Sequence, residues 1–426
     1  MMFIIKKISQ DTFLKNNLIF FLGSMSVAVL SYLYHPVLGR MMAVAAFGEV
    51  QSLISLSALF AMPISALGIV VVNIVSNTKN KSEERALIFA LEKIGLSIIL
   101  FISLIIIIFS NKFKEFLNFD SFYPFLVLAL LLIFSFLTYV RQAILQGKQQ
   151  FATVSFAGII STGGRLFFAV ILVYIGWSSF GAIAALVIAQ IFVFAFVFYK
   201  TKDERSTPID KKIKISHKIK KELYYGLVIL LSVFCITFLY TADVIIVKHY
   251  FLPTEAGLYS GVATIARIIF FATGSVAGVL LSSVKILNSE KENKKIFFKA
   301  LFLIAVGGGL ALFVFSLFSE SAIKILIGQK YVVRANLLSA LGILSFLASL
   351  INVSFFYFLA LRRFSVILPL AILAPPLVLT LSYSRHGNLS QIINNFIFVS
   401  ALILSALFIR FIYRIKYNNH KTICVN

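Results

Sequence analysis

The stretch SIILFISLIIIIF, 97–109, holds thirteen residues without a single charge. Runs of this kind recur along the chain, and they leave one solvent open to it. About 20 mainly apolar residues cross the roughly 30 Å hydrocarbon layer of a bilayer. Twelve segments reach that length, near 16–37, 48–76, 87–110, 122–145, 152–175, 180–199, 223–247, 257–284, 297–319, 335–360, 365–384 and 391–412. Of the 426 residues, 60% are hydrophobic and 13% charged. A water-soluble domain carries roughly 25% charged residues, so this chain could not cover its own surface in water. Within lipid every backbone polar group must be satisfied inside the span, which selects helices or a closed barrel. Barrel strands alternate apolar and polar residues; these runs do not. The expectation is an all-α polytopic membrane protein of about twelve transmembrane helices.

Lys and Arg orient it. With the N-terminus inside, the cytoplasmic loops hold Lys6, Lys7, Lys15, Lys79, Lys81, Arg85, Lys93, Arg141 and Lys148, nine basic residues between Lys200 and Lys221, and five between Lys285 and Lys299. Arg362, Arg363, Arg410, Arg414, Lys416 and Lys421 add to the same side. The opposite side has Arg40, Lys112, Lys114, Lys248, Lys324, Lys330, Arg334 and Arg385. The positive-inside rule then places both termini in the cytoplasm. It also accounts for the formal charge of +23 without nucleic acid, because the basic residues lie in short loops between spans. No cleavage site follows the first apolar run, so it reads as a retained helix rather than a signal peptide.

The longest polar stretch, 200–223, falls near the middle of the chain. It divides the chain into an N-terminal six-helix lobe (1–200), a basic cytoplasmic linker (201–222) and a C-terminal six-helix lobe (223–426). Sliding one half by about 209 residues places Gly48 on Gly257 and Arg40 on His249. With an even number of spans per half, that is a parallel repeat about an axis along the membrane normal.

Charges inside spans are expensive and point to function. Arg165 sits in the fifth span and Arg267 in the eighth, with snorkelling or carbonyl pairing as the bland alternative. Gly163 and Gly164 leave room beside Arg165. Asp243, near the outer end of the seventh span, can pair with Lys248 or an arginine, or carry a proton or sodium ion. Glu49 opens the second span, where a carboxylate suits the positive end of the helix dipole. Unpaired arginines facing a cavity would make it cationic and suit an anionic substrate. Pro63, Pro369, Pro375 and Pro376 lie within spans 2 and 11 and can kink them. Cys235 and Cys424 read as free thiols. No phosphate-binding G-x-x-x-x-G-K-[ST], no H-E-x-x-H and no G-x-S-x-G occurs.

Three segments carry a family resemblance: LYHPVLGRMMAVAAFGEVQSL (33–53), YVRQAILQGKQQF (139–151) and YTADVIIVKHYFLPTEAGLYSGVATIARI (240–268). They resemble the first external loop, the R-x-x-L-Q-G turn between spans four and five, and the E-A-G-x-Y start of span eight in the polysaccharide biosynthesis flippases. These are the O-antigen translocase branch of the multidrug/oligosaccharidyl-lipid/polysaccharide (MOP) exporter superfamily. The resemblance implies a MATE-like two-lobed fold in the bacterial inner membrane. It implies a transporter, not an enzyme, that flips an undecaprenyl-diphosphate-linked oligosaccharide of O-antigen, capsule or exopolysaccharide by alternating access. It implies no cofactor, coupling to a proton or sodium gradient, and room for a polysaccharide polymerase as partner. Matched by position, Arg40, Arg165, Lys248 and Arg267 are the substrate-binding candidates. Asp243, Glu49 and Arg141 are those for ion coupling or gating. A cation-coupled multidrug exporter would favour acidic residues in the N-lobe, and a membrane polysaccharide polymerase would need a large external loop.

Overall fold

The structure is a computed structural model, and it describes residues 12–78, 80–202, 215–284 and 288–423. The chain divides into two compact units, Met1–Leu230 and Leu231–Asn426. The first holds α1 (Thr12–Met41), α2 (Val44–Phe60), α3 (Met62–Asn77), α4 (Lys81–Ile108), a short α5 (Ser110–Phe116), α6 (Tyr123–Gly147), α7 (Phe151–Tyr174), α8 (Ser178–Lys200) and the start of α9 (Ile215–Tyr250). The second holds the rest of α9, α10 (Pro253–Ala266), α11 (Ile268–Ser283), α12 (Glu290–Leu317) and a short α13 (Ser319–Leu326). A 3-10 segment (Gln329–Leu337) then leads into α14 (Leu338–Ala360), α15 (Phe364–Ser384) and α16 (Leu389–Ile423). Every regular element among the described residues is helical.

Ten helical segments are long and apolar enough to cross a bilayer, and the bent pair α2–α3 makes an eleventh. With α1, which contains the expected first span, the protein is a multi-pass membrane protein of about twelve helices. The basic linker falls largely on 203–214, outside the described residues, as does Cys424. Cys235 is a buried free thiol. The division between the units lies inside α9 rather than at 223. The reason is continuity: α9 begins at Ile215, and a Cβ added at Gly226 would stand 3.3 Å from Val70 of the first unit.

The 209-residue offset recurs in the helix ends. It carries Val44 onto Pro253, Lys81–Ile108 onto Glu290–Leu317, and Ser110 onto Ser319. The residues before α2 and α10, Ala43 and Leu252, share an extended backbone (φ −62, ψ 147 and φ −56, ψ 146). Asn80 and Ser289 accept backbone N–H bonds from Glu83 and Glu292 at the starts of α4 and α12, the side-chain cap that orphaned N–H groups require. Both units therefore begin their second and third spans by the same local chemistry.

The second span of the first unit is bent, while that of the second unit, Pro253–Leu280, stays one span. α2 and α3 meet at Ala61 with a bend of 45°. Pro63 follows in the first turn of α3, where its missing N–H costs nothing but the preceding helix cannot run through. α10 and α11 part at Arg267. By contrast α15 runs unbroken through Pro369, Pro375 and Pro376.

Small residues set the packing, as expected where lipid removes the hydrophobic drive between helices. α7 lies along α1 with Ser155 against Gly23 and Gly158 against Val27; a Cβ at these glycines would meet them at 2.3 and 2.8 Å. In the second unit a Cβ at Gly261 would stand 2.3 Å from the buried Tyr331 ring, while one at Gly274 meets nothing within 4 Å. Gly261→Ala should therefore destabilise the protein by about 1–3 kcal/mol, and Gly274→Ala should be neutral or slightly stabilising. Thermal unfolding in detergent measures both; equal melting temperatures would refute the close approach at Gly261.

Candidate functional site

In the second unit three side chains converge. Asp243 lies on α9, two turns before its end. Tyr259 lies on α10, and Arg267 sits at the break between α10 and α11. Arg267 Nη2 donates to Asp243 Oδ1 at 2.6 Å, and Tyr259 Oη donates to Oδ2 at 2.9 Å. Asp243 is 1% exposed and Arg267 9%. Burying two charges is costly, and attraction offsets the cost only with good geometry and further hydrogen bonds. Here the carboxylate has a charged donor on one oxygen and a neutral donor on the other. Of the partners the sequence left open for Asp243, the structure pairs it with Arg267, so this arginine does not add an unpaired charge to a cavity. Sequence spacing could not choose between the candidate partners, since 24 residues separate Asp243 from Arg267.

The E-A-G-x-Y segment explains itself around this cluster. Glu255 Oε2 accepts from Arg334 Nε (3.0 Å) and Nη2 (2.7 Å) of the 3-10 segment. Tyr259, one turn on, holds Asp243. Gly261 lets the Tyr331 ring lie against α10. One helix turn is thus pinned on both sides. Lys248, in the last turn of α9, is fully buried, and a cation there is favoured by the helix dipole.

In the first unit, Arg165 reaches from α7 to α1. Its Nη2 donates to Ser31 O (3.1 Å) and Oγ (2.6 Å). Its guanidinium carbon lies 5.1 Å from the centre of the Tyr34 ring, within cation–π range. Tyr34 is itself fixed by donating to Ala182 O of α8 at 3.0 Å. Arg165 Nε is buried without a partner. Among the described residues no carboxylate pairs with this arginine, so it keeps its charge inside a span. The room beside Gly163 and Gly164 is taken by Leu30 and Ala189.

The other candidates are placed as follows. Glu49 does not cap its own helix: α2 begins at Val44, and no side chain caps it. Glu49 lies in the second turn and its Oε2 accepts from Ser179 Oγ at 2.5 Å, in the first turn of α8. The carboxylate thus sits beside the positive end of a different helix. Gln51 Nε2 lies 2.9 Å from His35 Nδ1, so the first family-like segment fastens α1, α2 and α8. Arg40 is exposed in the last turn of α1, with Nη1 3.4 Å from Pro36 O. Arg141 forms an ion pair with Glu92 of α4 at 2.9 Å. A Cβ at Gly147 would stand 2.6 Å from Val75, so the R-x-x-L-Q-G turn draws α3, α4 and α6 together.

The structure thus brings together Asp243 and Arg267, and adds Tyr259 together with partners that sequence spacing does not single out: Ser31, Tyr34, Glu92 and Arg334. A signal existed for Tyr259, four residues after Glu255 on one helix face.

The buried pair has a thermodynamic signature. Asp243→Asn or Arg267→Met alone should cost about 3–5 kcal/mol, because each leaves one uncompensated buried charge. The double variant should be less destabilised than the sum of the two. Tyr259→Phe should cost about 1.5–3 kcal/mol. A cycle of melting curves tests this; strictly additive effects would show that the pair is uncoupled.

A family model described as "Polysaccharide biosynthesis protein" matches residues 37–336. No curated protein sequence is matched by the chain. Solved structures share the fold. An inward-facing multidrug resistance MATE family transporter of the MOP superfamily superposes with a TM-score of 0.69 at 15% identity, covering 92% of this chain and 96% of that one. The lipid II flippase MurJ, in an inward closed conformation, gives 0.70 at 13% identity, covering 92% and 87%. The MATE multidrug transporter DinF-BH gives 0.66 at 16% identity, covering 93% and 94%. At these identities the likeness speaks for the fold. The family model covers most of the chain, including nearly all of the three resembling segments, and on that ground the chain belongs to the polysaccharide biosynthesis protein family.

Proposed function

We propose that this protein is a flippase of the bacterial inner membrane. It moves an undecaprenyl-diphosphate-linked oligosaccharide (O-antigen, capsule or exopolysaccharide repeat units) to the periplasmic leaflet by alternating access. The observation that carries the reading is Arg165: a guanidinium inside a span, held by Ser31 and Tyr34, with no carboxylate to neutralise it among the described residues. Such a group favours a diphosphate over a cationic drug. A cation-coupled drug exporter would favour acidic residues in the first unit, where Glu49 is held by Ser179. In this reading Arg165 and Arg40 belong to the substrate path, and Arg141 to the gate. The Asp243–Arg267 pair is the coupling element. Parting that pair would free the Arg267 guanidinium, with Lys248 close by in sequence on α9, to attract the diphosphate. Both termini face the cytoplasm, no cofactor takes part, and a polysaccharide polymerase is the natural consumer of the flipped product.

Deleting the gene in its host and identifying the accumulated lipid tests this. Undecaprenyl-linked repeat units trapped in the inner leaflet, with surface glycan lost, are expected. Intact glycan with raised drug sensitivity would sink the proposal in favour of drug export. Complementation with Arg165→Ala should lower glycan export by about ten- to a hundredfold at unchanged protein abundance, with Arg165→Lys less affected.

A further inference from the structure

Two grooves of the second unit meet at one lysine. The first, of about 580 Å³, runs along α12 past Lys295, Phe298, Lys299, Phe302 and Leu303. The second, of about 420 Å³, lies between α11 and α12, with Ser275 and Ser283 on one side and Lys299 and Leu303 on the other. Both are open and mostly apolar. Phe298, Phe302 and Leu303 are exposed, and α12 continues the apolar face through Val306, Leu310 and Phe313. Hydrocarbon covers such a face in a bilayer, so the feature to explain is the charge at one end of it.

Lys295 and Lys299 stand four residues apart, on one face of α12 near its start, as neighbours on a helix surface do. Both are exposed. Lys294, between them in sequence, is already engaged, with Nζ 3.0 Å from Glu290 Oε1. Among the described residues neither Lys295 nor Lys299 forms an ion pair. One lysine at the end of a span reads as a snorkelling side chain whose stem covers apolar surface. Two on one face, both lining an apolar groove and neither with a carboxylate in reach, suit an anion that carries a hydrocarbon chain.

The first unit solves the same place differently. The 209-residue offset carries Phe298 back onto Phe89, which lines a groove of about 320 Å³ between α4 and α6. That groove holds Glu92, Lys93 and Arg141, and Glu92 pairs with Arg141 at 2.9 Å, so one of its two cations is neutralised from within. The positions equivalent to Glu92 and Arg141 in the second unit are Leu301 and Leu350. The internal ion pair is absent there, and the positive charge stands on the rim of the groove. In the orientation proposed above this end of α12 lies at the cytoplasmic surface, where anionic lipids attract basic side chains.

We propose that these grooves of α11 and α12 hold one anionic phospholipid of the cytoplasmic leaflet. Its phosphate lies between Lys295 and Lys299, and its acyl chains run along Phe302 and Leu303. Ser283, in the last turn of α11, offers a hydroxyl to the headgroup from the second groove. The site uses none of the residues assigned to the cargo, and it rests on the proposed orientation rather than on what is transported.

The test uses the full chain, delipidated in a nonionic detergent. It is titrated with phosphatidylglycerol or phosphatidylcholine of identical acyl chains, and bound lipid is counted by native mass spectrometry. Wild-type protein should bind phosphatidylglycerol about twentyfold more tightly than phosphatidylcholine. Lys295→Gln and Lys299→Gln should each lower that preference about fivefold, and together abolish it, with phosphatidylcholine binding unchanged. Lys93→Gln removes the same charge from the matching groove of the first unit and should leave the preference intact. Glycerol phosphate, which lacks the chains, should not displace the lipid. Absence of a preference in the wild type overturns the site, as does one that survives the double substitution. An equal loss with Lys93→Gln overturns it in favour of diffuse surface charge, and displacement by glycerol phosphate in favour of a soluble anion. Undecaprenyl phosphate binding that needs both lysines, where phosphatidylglycerol binding does not, would overturn it in favour of the cargo's own lipid. A dimer that needs them would overturn it in favour of a second copy of the chain. None of these outcomes touches the deletion phenotype that tests the flippase reading.

Discussion

In the hydrocarbon of a bilayer a polar group has no water to fall back on, and each one left unbonded costs several kcal/mol. That penalty orders this molecule at three scales. The backbone meets it by coiling into helices whose amides bond within the span. The helices approach one another through glycine and serine, as Gly23 and Gly158 do on the α1–α7 seam. The side chains meet it by pairing, and the few that remain unpaired are where chemistry can be sought.

The two span arginines show how different the outcomes can be. Arg267 is caught between helices: it closes on Asp243, Tyr259 takes the second carboxylate oxygen, and the cluster is electrically almost silent. Among the described residues Arg165 meets a serine and an aromatic face and no carboxylate. Its positive charge is tolerated rather than cancelled, since hydrogen bonds and a ring quadrupole stabilise a cation without neutralising it. In the proposed function a diphosphate completes that site.

The repeat between the halves is maintained by local signals more than by shared side chains. Ala43 and Leu252 are unlike residues in the same backbone conformation; Asn80 and Ser289 are unlike residues making the same cap. What persists over 209 residues is where a helix starts, because caps and breaks depend on a few backbone geometries that many residues satisfy. What diverges is the interior. On its second span one unit places Ala61, at a bend of 45°, and the other places Arg267, closing an ion pair.

The sequence alone determined the solvent, the helical class, the approximate spans and the family. Each of these follows from composition summed over some 20 residues, or from motifs in which neighbours along the chain act together, as in the Glu255–Tyr259 turn. Pro63 likewise marks its bend from the sequence, because proline acts on its own helix. Tertiary structure alone decided which charges survive. Arg165 and Arg267 look alike in sequence, each a lone cation in an apolar run. Their difference lies in what stands across the gap: Ser31, 134 residues away, for one, and Asp243, on the preceding helix, for the other. Glu49 reads in sequence as the cap of its own helix, but α2 starts four residues before Gly48 and leaves that carboxylate to Ser179. Electrostatic and hydrogen-bond energies depend on distance in space, and only the packing of the helices sets that distance.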